Sequence, residues 1–167
     1  MEFSKIERSY EKLLTSERFD SSQMSGCTAQ QLHEIEEALA VPLPGAYRAF
    51  LGLVGVSAGT FHAGASFLFP EILTLRADAE KLLGECGAPF ELSPQAIVFM
   101  VHEGNQFLFM IPDGTKDPAV HYYVEGDIAA QPLFSSFSDW FSAVVDDELE
   151  FLNDHPPTVP GFRNLGS

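Results

Sequence analysis

The sequence predicts an α+β fold with N-terminal helices, a central antiparallel β-meander and a C-terminal helix. Three observations lead to this prediction. Apolar residues recur at helical spacing in the first half of the chain, and three short runs rich in Val, Ile, Phe and Tyr follow, separated by turn residues. Helical spacing then returns after residue 136. With no repeat and no second zone of composition, we expect a single domain over residues 1–155 and a Pro-rich tail over residues 156–167.

Four helices are predicted in the first half of the chain. An amphipathic pattern over residues 3–18 predicts the first, and Thr28 with Gln31 has the spacing of a capping box that opens the second. We expect Pro44 at the first position of the third helix and Pro70 at the start of the fourth, because proline is well suited to a helix start. The third helix has one buried stripe, made of Tyr47, Phe50, Leu51 and Val54.

Three consecutive antiparallel strands are predicted next, over residues 96–102, 106–111 and 119–125. Turn sequences such as Glu103-Gly104-Asn105 separate them, and connections of this length join neighbouring antiparallel strands. The first two runs are apolar on both faces, so we expect central strands that are covered on both sides, in whole or in part.

The last predicted helix is acidic. Ser136 and Asp139 have the spacing of a helix cap, and an apolar stripe that begins at Trp140 faces inward. Asp146 and Glu150 share a helix face, where like charges cost roughly 0.2–0.5 kcal/mol, and they lie toward the helix end that disfavours anions. Two interpretations follow: a solvated face, or a partner-docking patch formed by Asp139, Asp146, Asp147, Glu148 and Glu150.

Net charge is the informative part of the composition. The chain has 9 basic and 24 acidic residues, a formal net charge of −15, and residues 82–167 contain 2 of the basic and 13 of the acidic residues. Such a surface repels nucleic-acid phosphates and anionic membranes, so neither is expected as a partner. It attracts a basic protein and speeds the encounter, although acidity can also serve solubility alone.

Enzyme motifs are weak in this sequence. Residues 55–59 match Gly-x-Ser-x-Gly around Ser57, but no strand precedes the motif as a nucleophile elbow requires. Residues 113–117 superficially resemble a calcium loop, yet Val124 stands where the closing Glu belongs. The histidines lack the spacing of a metal site: His33, His62, His102, His121 and His155. We therefore expect no catalytic residue, metal or cofactor.

Targeting signals are not evident either. No apolar run approaches the roughly 20 residues of a transmembrane helix, and the first residues are charged and mixed. Cys27 and Cys86 form no spaced pair, so free buried thiols and a cytoplasmic location are expected.

Two segments carry a resemblance to a known family. Residues 28–36, followed by Leu43-Pro44-Gly45-Ala46-Tyr47-Arg48-Ala49-Phe50-Leu51, resemble the signature of the SUKH superfamily of Smi/Knr-like proteins. The predicted strands and residues 137–141 continue that pattern in the same order, so the likeness covers about residues 25–150. One departure is Leu53-Val54-Gly55-Val56, where many members carry Asn-Gly-Gly.

The resemblance implies a non-catalytic α+β domain used for protein recognition. Most bacterial members look like immunity proteins that neutralise toxins, often nucleases, and fungal relatives look like regulatory scaffolds in cell-wall signalling. Together with the charge, this implies an immunity protein for a basic toxin domain, with a regulatory scaffold as the alternative. The resemblance also implies that its motif residues lie in the core and form no functional site: Leu43, Pro44, Tyr47, Phe50 and Leu51.

Overall fold

The computed structural model describes residues 3–154. The Pro-rich tail predicted over residues 156–167, and His155 before it, lie outside this range, so the domain boundary stays a prediction. The helices are α1 (Ser4–Thr15), α2 (Ala29–Leu39), α3 (Gly45–Val54), α4 (Leu75–Glu85) and α5 (Phe137–Asp154). The strands are β1 (Met24–Ser25), β2 (Ser57–Ala58), β3 (Ala65–Ser66), β4 (Ile97–His102), β5 (Gln106–Met110), β6 (Val120–Val124) and β7 (Gln131–Phe134).

The predicted α+β order is confirmed. Strands β3 to β7 form one antiparallel sheet in the order of the chain, and the three predicted strands are its inner members β4, β5 and β6. The sequence did not predict the edge strands β3 and β7 or the small β1–β2 sheet. Two-residue strands are too short to show a period, and Pro132 within β7 lacks the amide hydrogen that a strand pattern requires.

The two faces of the sheet are covered by different helices. Cα partners across the strands share a face, so Met100, Leu108 and Tyr122 form one row, and Val101, Phe107 and Tyr123 form a row on the other face. Helix α4 packs on the face of Tyr123, whose hydroxyl lies 3.2 Å from the Sγ of Cys86 at the end of that helix. Helices α3 and α5 pack on the opposite face.

A β-bulge in β4 shapes the core beneath α5. The register with β5 shifts between Val98 and Met100, which brings Phe99 toward the helices. The ring centroid of Phe99 lies 4.9 Å from that of Trp140 and 6.1 Å from that of Tyr47. The predicted stripe of α3 is confirmed: Tyr47, Phe50, Leu51 and Val54 are all buried.

The predicted start of α2 is confirmed, whereas the starts predicted for α3 at Pro44 and for α4 at Pro70 were wrong. The capping box of α2 is present, since Thr28 Oγ1 accepts from the Gln31 amide at 3.2 Å and Gln31 Oε1 accepts from the Thr28 amide at 2.9 Å. Pro44 occupies the cap position of α3, one residue before the predicted place, because its ψ of 144° is extended. Residues Glu71–Thr74, after Pro70, form a 3₁₀ turn before α4 begins.

Helix α1 is shorter than predicted, because Glu17, with a φ of 61°, lies outside helical geometry. No helix within residues 3–154 has the length and apolar composition needed to span a bilayer.

Candidate protein-interaction surface

Helix α5 carries the predicted docking residues and begins at a doubly capped terminus. Ser136 Oγ accepts from the Asp139 amide at 3.1 Å, as the sequence predicts. Asp117 Oδ1 accepts from the Ser138 amide at 2.9 Å, a cap that spacing along the chain does not reveal. The side chain of Asp113, in the same loop, accepts two hydrogen bonds from Thr115, which lower its pKa. Residues 113–117 therefore form a turn, and its Asp117 side chain caps the N-terminus of α5.

Two of the predicted docking carboxylates are ion-paired to α1. Lys5 Nζ contacts Asp139 Oδ1, and Lys12 Nζ contacts Asp146 Oδ1. The hydrogen bond from Lys5 is the main cause that lowers the pKa of Asp139. Part of the negative charge of Asp139 and Asp146 is therefore compensated within the protein.

Glu148 stands apart from the other carboxylates of α5. It is 4% exposed, and its Oε1 accepts a hydrogen bond from the His62 amide at 3.3 Å. His62 belongs to the loop between β2 and β3, so Glu148 joins that loop to α5. The sequence does not indicate this role, because the backbone amide it meets lies 86 residues away.

Asp147 and Glu150 remain exposed, and neither has an ion-pair partner within the described range. Asp147 follows Trp140 by seven residues, close to two helical turns, so both lie on one side of α5. Glu150 lies about 60° further round the helix by the same geometry. By the same geometry, Asp139, Asp146 and Glu150 share one side of α5, whereas the buried Glu148 lies on the opposite side.

A second group of carboxylates lies at one end of the sheet. Glu103 is in the turn between β4 and β5, and Glu125 and Asp127 are in the turn between β6 and β7. The Glu125 amide donates to the Asn105 carbonyl at 2.8 Å, which joins the two turns. Sequence reasoning missed this cluster. The signal was present, since both turns contain Glu-Gly and alternate turns of a meander meet at the same sheet end.

A groove of about 250 Å³ lies on the α5 side of the sheet near this end. We call it the Trp140 groove. Its lining combines apolar side chains with two histidines and one glutamine, namely His62, Met100, His102, Gln106, Phe107, Leu108 and Trp140. The Nε2 atom of His102 lies 3.8 Å from Oε1 of Glu103. The groove therefore opens beside the acidic end of the sheet.

A larger cavity, about 380 Å³, lies elsewhere, between the Leu43-Pro44 segment and the loop at Lys116. Prolines and glycines contribute much of its lining, and the Lys116 carbonyl accepts the Ala46 amide at 2.8 Å. Within residues 3–154, no carboxylate lines it. The arrangement belongs to the packing of α3 against the loop.

The candidate catalytic serine has a structural contact. Ser57 lies in β2, which follows helix α3, and its hydroxyl donates to the Gln23 carbonyl. A nucleophile elbow needs a strand followed by a sharp turn into a helix, and the segment around Ser57 does not have that form.

The histidines do not assemble either. His102 on β4 and His121 on β6 are separated by β5, and the row of His102 continues to Gln106 and Val124. His155 lies beyond the described range. Among residues 3–154, no three His, Cys, Asp or Glu side chains come together in a group that could hold a metal ion.

Both cysteines are free, as predicted, and each is half-buried. Burial raises the pKa of the Cys27 thiol to about 11. A low-pKa nucleophile is not formed at Cys27, which fits a packing role.

A family model described as SMI1 / KNR4 family (SUKH-1) matches residues 26–143, which is well over half of the chain. The range includes α2, α3 and strands β2 to β7, and it ends within α5. The carboxylates from Asp146 onward lie outside it. No protein with a curated description matches the chain.

Proposed function

The chain belongs to the SMI1 / KNR4 family (SUKH-1), and from this premise we propose that it is an immunity protein that binds and neutralises a cognate toxin. The family supports a protein-binding immunity or regulatory domain in general, and its members are generally non-catalytic. The toxin as partner, its basic character and a cytoplasmic location are our proposals.

The unbalanced charge is the observation that supports a basic toxin. Residues 3–154 contain 23 carboxylates and 8 Lys or Arg residues. Five of these basic side chains already pair with carboxylates of the same chain: Lys5, Lys12, Arg48, Arg76 and Lys81. Because the remaining negative charge has few internal partners, it produces a field that steers a basic protein toward the surface.

The contacts of Ser57 and the histidines support inhibition of the toxin by binding to its surface. Among residues 3–154, neither Ser57 nor the histidines have the geometry of a hydrolase or metal site, and this supports inhibition by binding. An immunity protein of this kind needs fast association and slow dissociation, and it needs no reaction of its own.

The experiment pairs this chain with the protein encoded by the gene next to its own. We expect that protein to arrest bacterial growth when expressed alone and this chain to restore growth. The purified proteins should form a complex whose association rate constant falls about tenfold or more between low and high salt.

Two variants separate a local effect of the α5 carboxylates from the effect of net charge. Asp147→Asn with Glu150→Gln should slow association, whereas the control Glu34→Gln with Glu71→Gln, also exposed carboxylates, changes net charge equally from other elements. Glu148 is left intact because it is buried. No complex and no restored growth would contradict the proposal. A complex with a non-toxic protein would favour the regulatory scaffold.

A further inference from the structure

We propose that the Trp140 groove is the docking site for a large apolar side chain that the protein partner presents between basic residues. The inference rests on the proposed protein-binding function and adds to it the place and the chemistry of the contact. Three observations support it: an uncovered apolar floor, walls held in place by internal contacts, and carboxylates at the open end.

The floor is a part of the sheet that α5 does not fully cover. The row toward the other end of the sheet, Ile97, Met110 and Val120, is completely buried. In the next row, Met100 is buried whereas Leu108 and Tyr122 are only half-buried. The last row, His102, Gln106 and Val124, is half-buried throughout. Cover therefore decreases toward the sheet end, and apolar side chains remain accessible there.

The walls are preformed. Trp140 is 2% exposed and packs edge-on against Phe99 at a centroid distance of 4.9 Å. On the other side, the His62 amide donates to Glu148 at 3.3 Å, which fixes the loop between β2 and β3. A groove whose walls are held in this way loses little side-chain freedom on binding, and preorganisation raises affinity.

The volume fits side chains better than a cofactor. About 250 Å³ lies below the roughly 300–1,000 Å³ of typical small-molecule sites. An aromatic or aliphatic side chain that enters such a groove is shielded from water on several sides, as at the anchor positions that dominate binding energy in protein interfaces.

The charge around the groove selects the neighbours of that side chain. Glu103 follows His102 directly and Glu125 follows Val124, so both carboxylates lie where the floor ends. Asp147 lies on the Trp140 side of α5, two turns further along. Asp127 and the 79% exposed Ile128 extend this edge. Apolar contact surrounded by negative charge is complementary to an apolar residue flanked by Lys or Arg.

Trp140 makes the proposal testable, because it is the chain's one tryptophan and therefore a local fluorescence reporter. The probe is a synthetic Trp-free peptide with a central Leu-Phe pair and three lysines on each side. We expect a saturable change in Trp140 emission. Peptides with Ser-Ser at the centre or with glutamates in place of the lysines should bind at least about tenfold more weakly.

Protein variants test each part of the site. Leu108→Ser should weaken binding by removing floor contact, and Glu103→Gln with Glu125→Gln and Asp147→Asn should weaken it about tenfold. The matched control is Glu34→Gln with Glu71→Gln and Glu91→Gln, which removes the same charge from segments that do not line the groove. This control should change the dissociation constant by less than about twofold. The exposed rim substitutions keep the test valid if Leu108→Ser fails to fold.

Several outcomes would overturn the proposal. These are unchanged Trp140 emission at millimolar peptide, equal binding of the Ser-Ser peptide, or equal loss in the rim and control variants. The growth assay separates this failure from that of the proposed function. If wild type and groove variants restore growth equally, the groove is not the docking site, but the immunity role stands. If wild type does not restore growth, the immunity role itself is wrong.

Discussion

Lys12 on α1 pairs with Asp146 on α5, one heptad beyond the pair between Lys5 and Asp139. Both pairs join residues 134 positions apart, so the two helices run parallel. Ile6 and Leu13, which are also seven residues apart, are completely buried. The contact therefore has an apolar seam with ion pairs beside it, as in a short coiled coil.

The seam, rather than the ion pairs, should supply the stability of this contact. The paired side chains are 37–58% exposed, and exposed pairs contribute about 0.2–1 kcal/mol each. Replacing Lys5 and Lys12 together by Ala should lower the free energy of unfolding by less than about 2 kcal/mol. Leu13→Ala should cost about 2–5 kcal/mol. Urea unfolding followed by Trp140 fluorescence measures both. A larger loss in the lysine variant than in Leu13→Ala would reverse this ranking.

The same double lysine variant bears on partner binding. It leaves Asp139 and Asp146 without their ion-pair partners on α1 and makes the protein more negative by two charges. Association with a basic partner should become faster, most clearly at low salt, because steering grows with net charge. Stopped-flow measurement of the association rate tests this, and a slower association would show that the lysines themselves contact the partner.

Local signals in the sequence predicted most of the fold. The cap of α2 needs only Thr28 and Gln31, and the stripe that begins at Tyr47 needs only helical spacing, so both could be derived without tertiary information. Strand β7 could not, because Pro132 interrupts its pattern and pairing with β6 sets its place. Tertiary contacts decide the position of Glu148, since a helix pattern cannot show which loop will cover a given turn.

Glu148 should behave as a structural residue. Glu148→Ala removes the carboxylate that accepts the His62 amide, and loss of a buried hydrogen-bond partner costs about 1–3 kcal/mol. Glu150→Ala, two residues along the same helix and exposed, should change stability by less than about 0.5 kcal/mol. Chemical denaturation of the two variants gives the comparison, and equal stabilities would place Glu148 on the surface with Glu150.

Tyr47 carries a hydroxyl that the fold does not use. The side chain is fully buried, and its oxygen has no hydrogen-bond partner among residues 3–154. Tyr47→Phe should leave the protein equally stable or stabilise it by about 1 kcal/mol, because an unpaired buried polar atom is removed. Tyr47→Ala should cost about 3–5 kcal/mol through lost packing. Thermal unfolding separates the cases, and a clear loss in the Phe variant would reveal a partner for the hydroxyl.

The free energy of unfolding should fall at alkaline pH, in part because the Cys27 thiol is harder to ionise in the folded protein. Burial raises the pKa of its thiol from 9.0 to about 11 in the fold. Because the folded pKa is the higher one, this contribution is complete below pH 9 and is lost as the pH rises through 11. Burial, followed by the charge of Cys27, also raises the pKa of Tyr47, which adds to the loss above pH 10. In a Tyr47→Phe background, Cys27→Ala should therefore reduce the decrease of the urea unfolding midpoint between pH 8 and pH 11. An unchanged slope would show that Cys27 titrates alike in both states.

Alanine substitutions at Gly26 and Gly52 should change the free energy of unfolding in opposite directions. A Cβ on Gly26 would overlap the Gly52 carbonyl oxygen, which is backbone and cannot rotate away. Beside it, the Cys27 amide donates to the Leu51 carbonyl at 2.8 Å, so β1 and α3 cannot separate without losing that bond. Gly26→Ala should cost about 2–3 kcal/mol or more.

The Gly52 substitution adds the same methyl group where there is room. Its Cβ would meet nothing within 4 Å, and the residue lies exposed inside α3. Alanine is favoured over glycine in a helix interior by about 0.5–1 kcal/mol, so Gly52→Ala should stabilise the protein by that amount. Thermal and urea unfolding of both variants, with circular dichroism to confirm the fold, decide the matter. If Gly26→Ala proved as stable as Gly52→Ala, the close approach of β1 to α3 would not exist in solution.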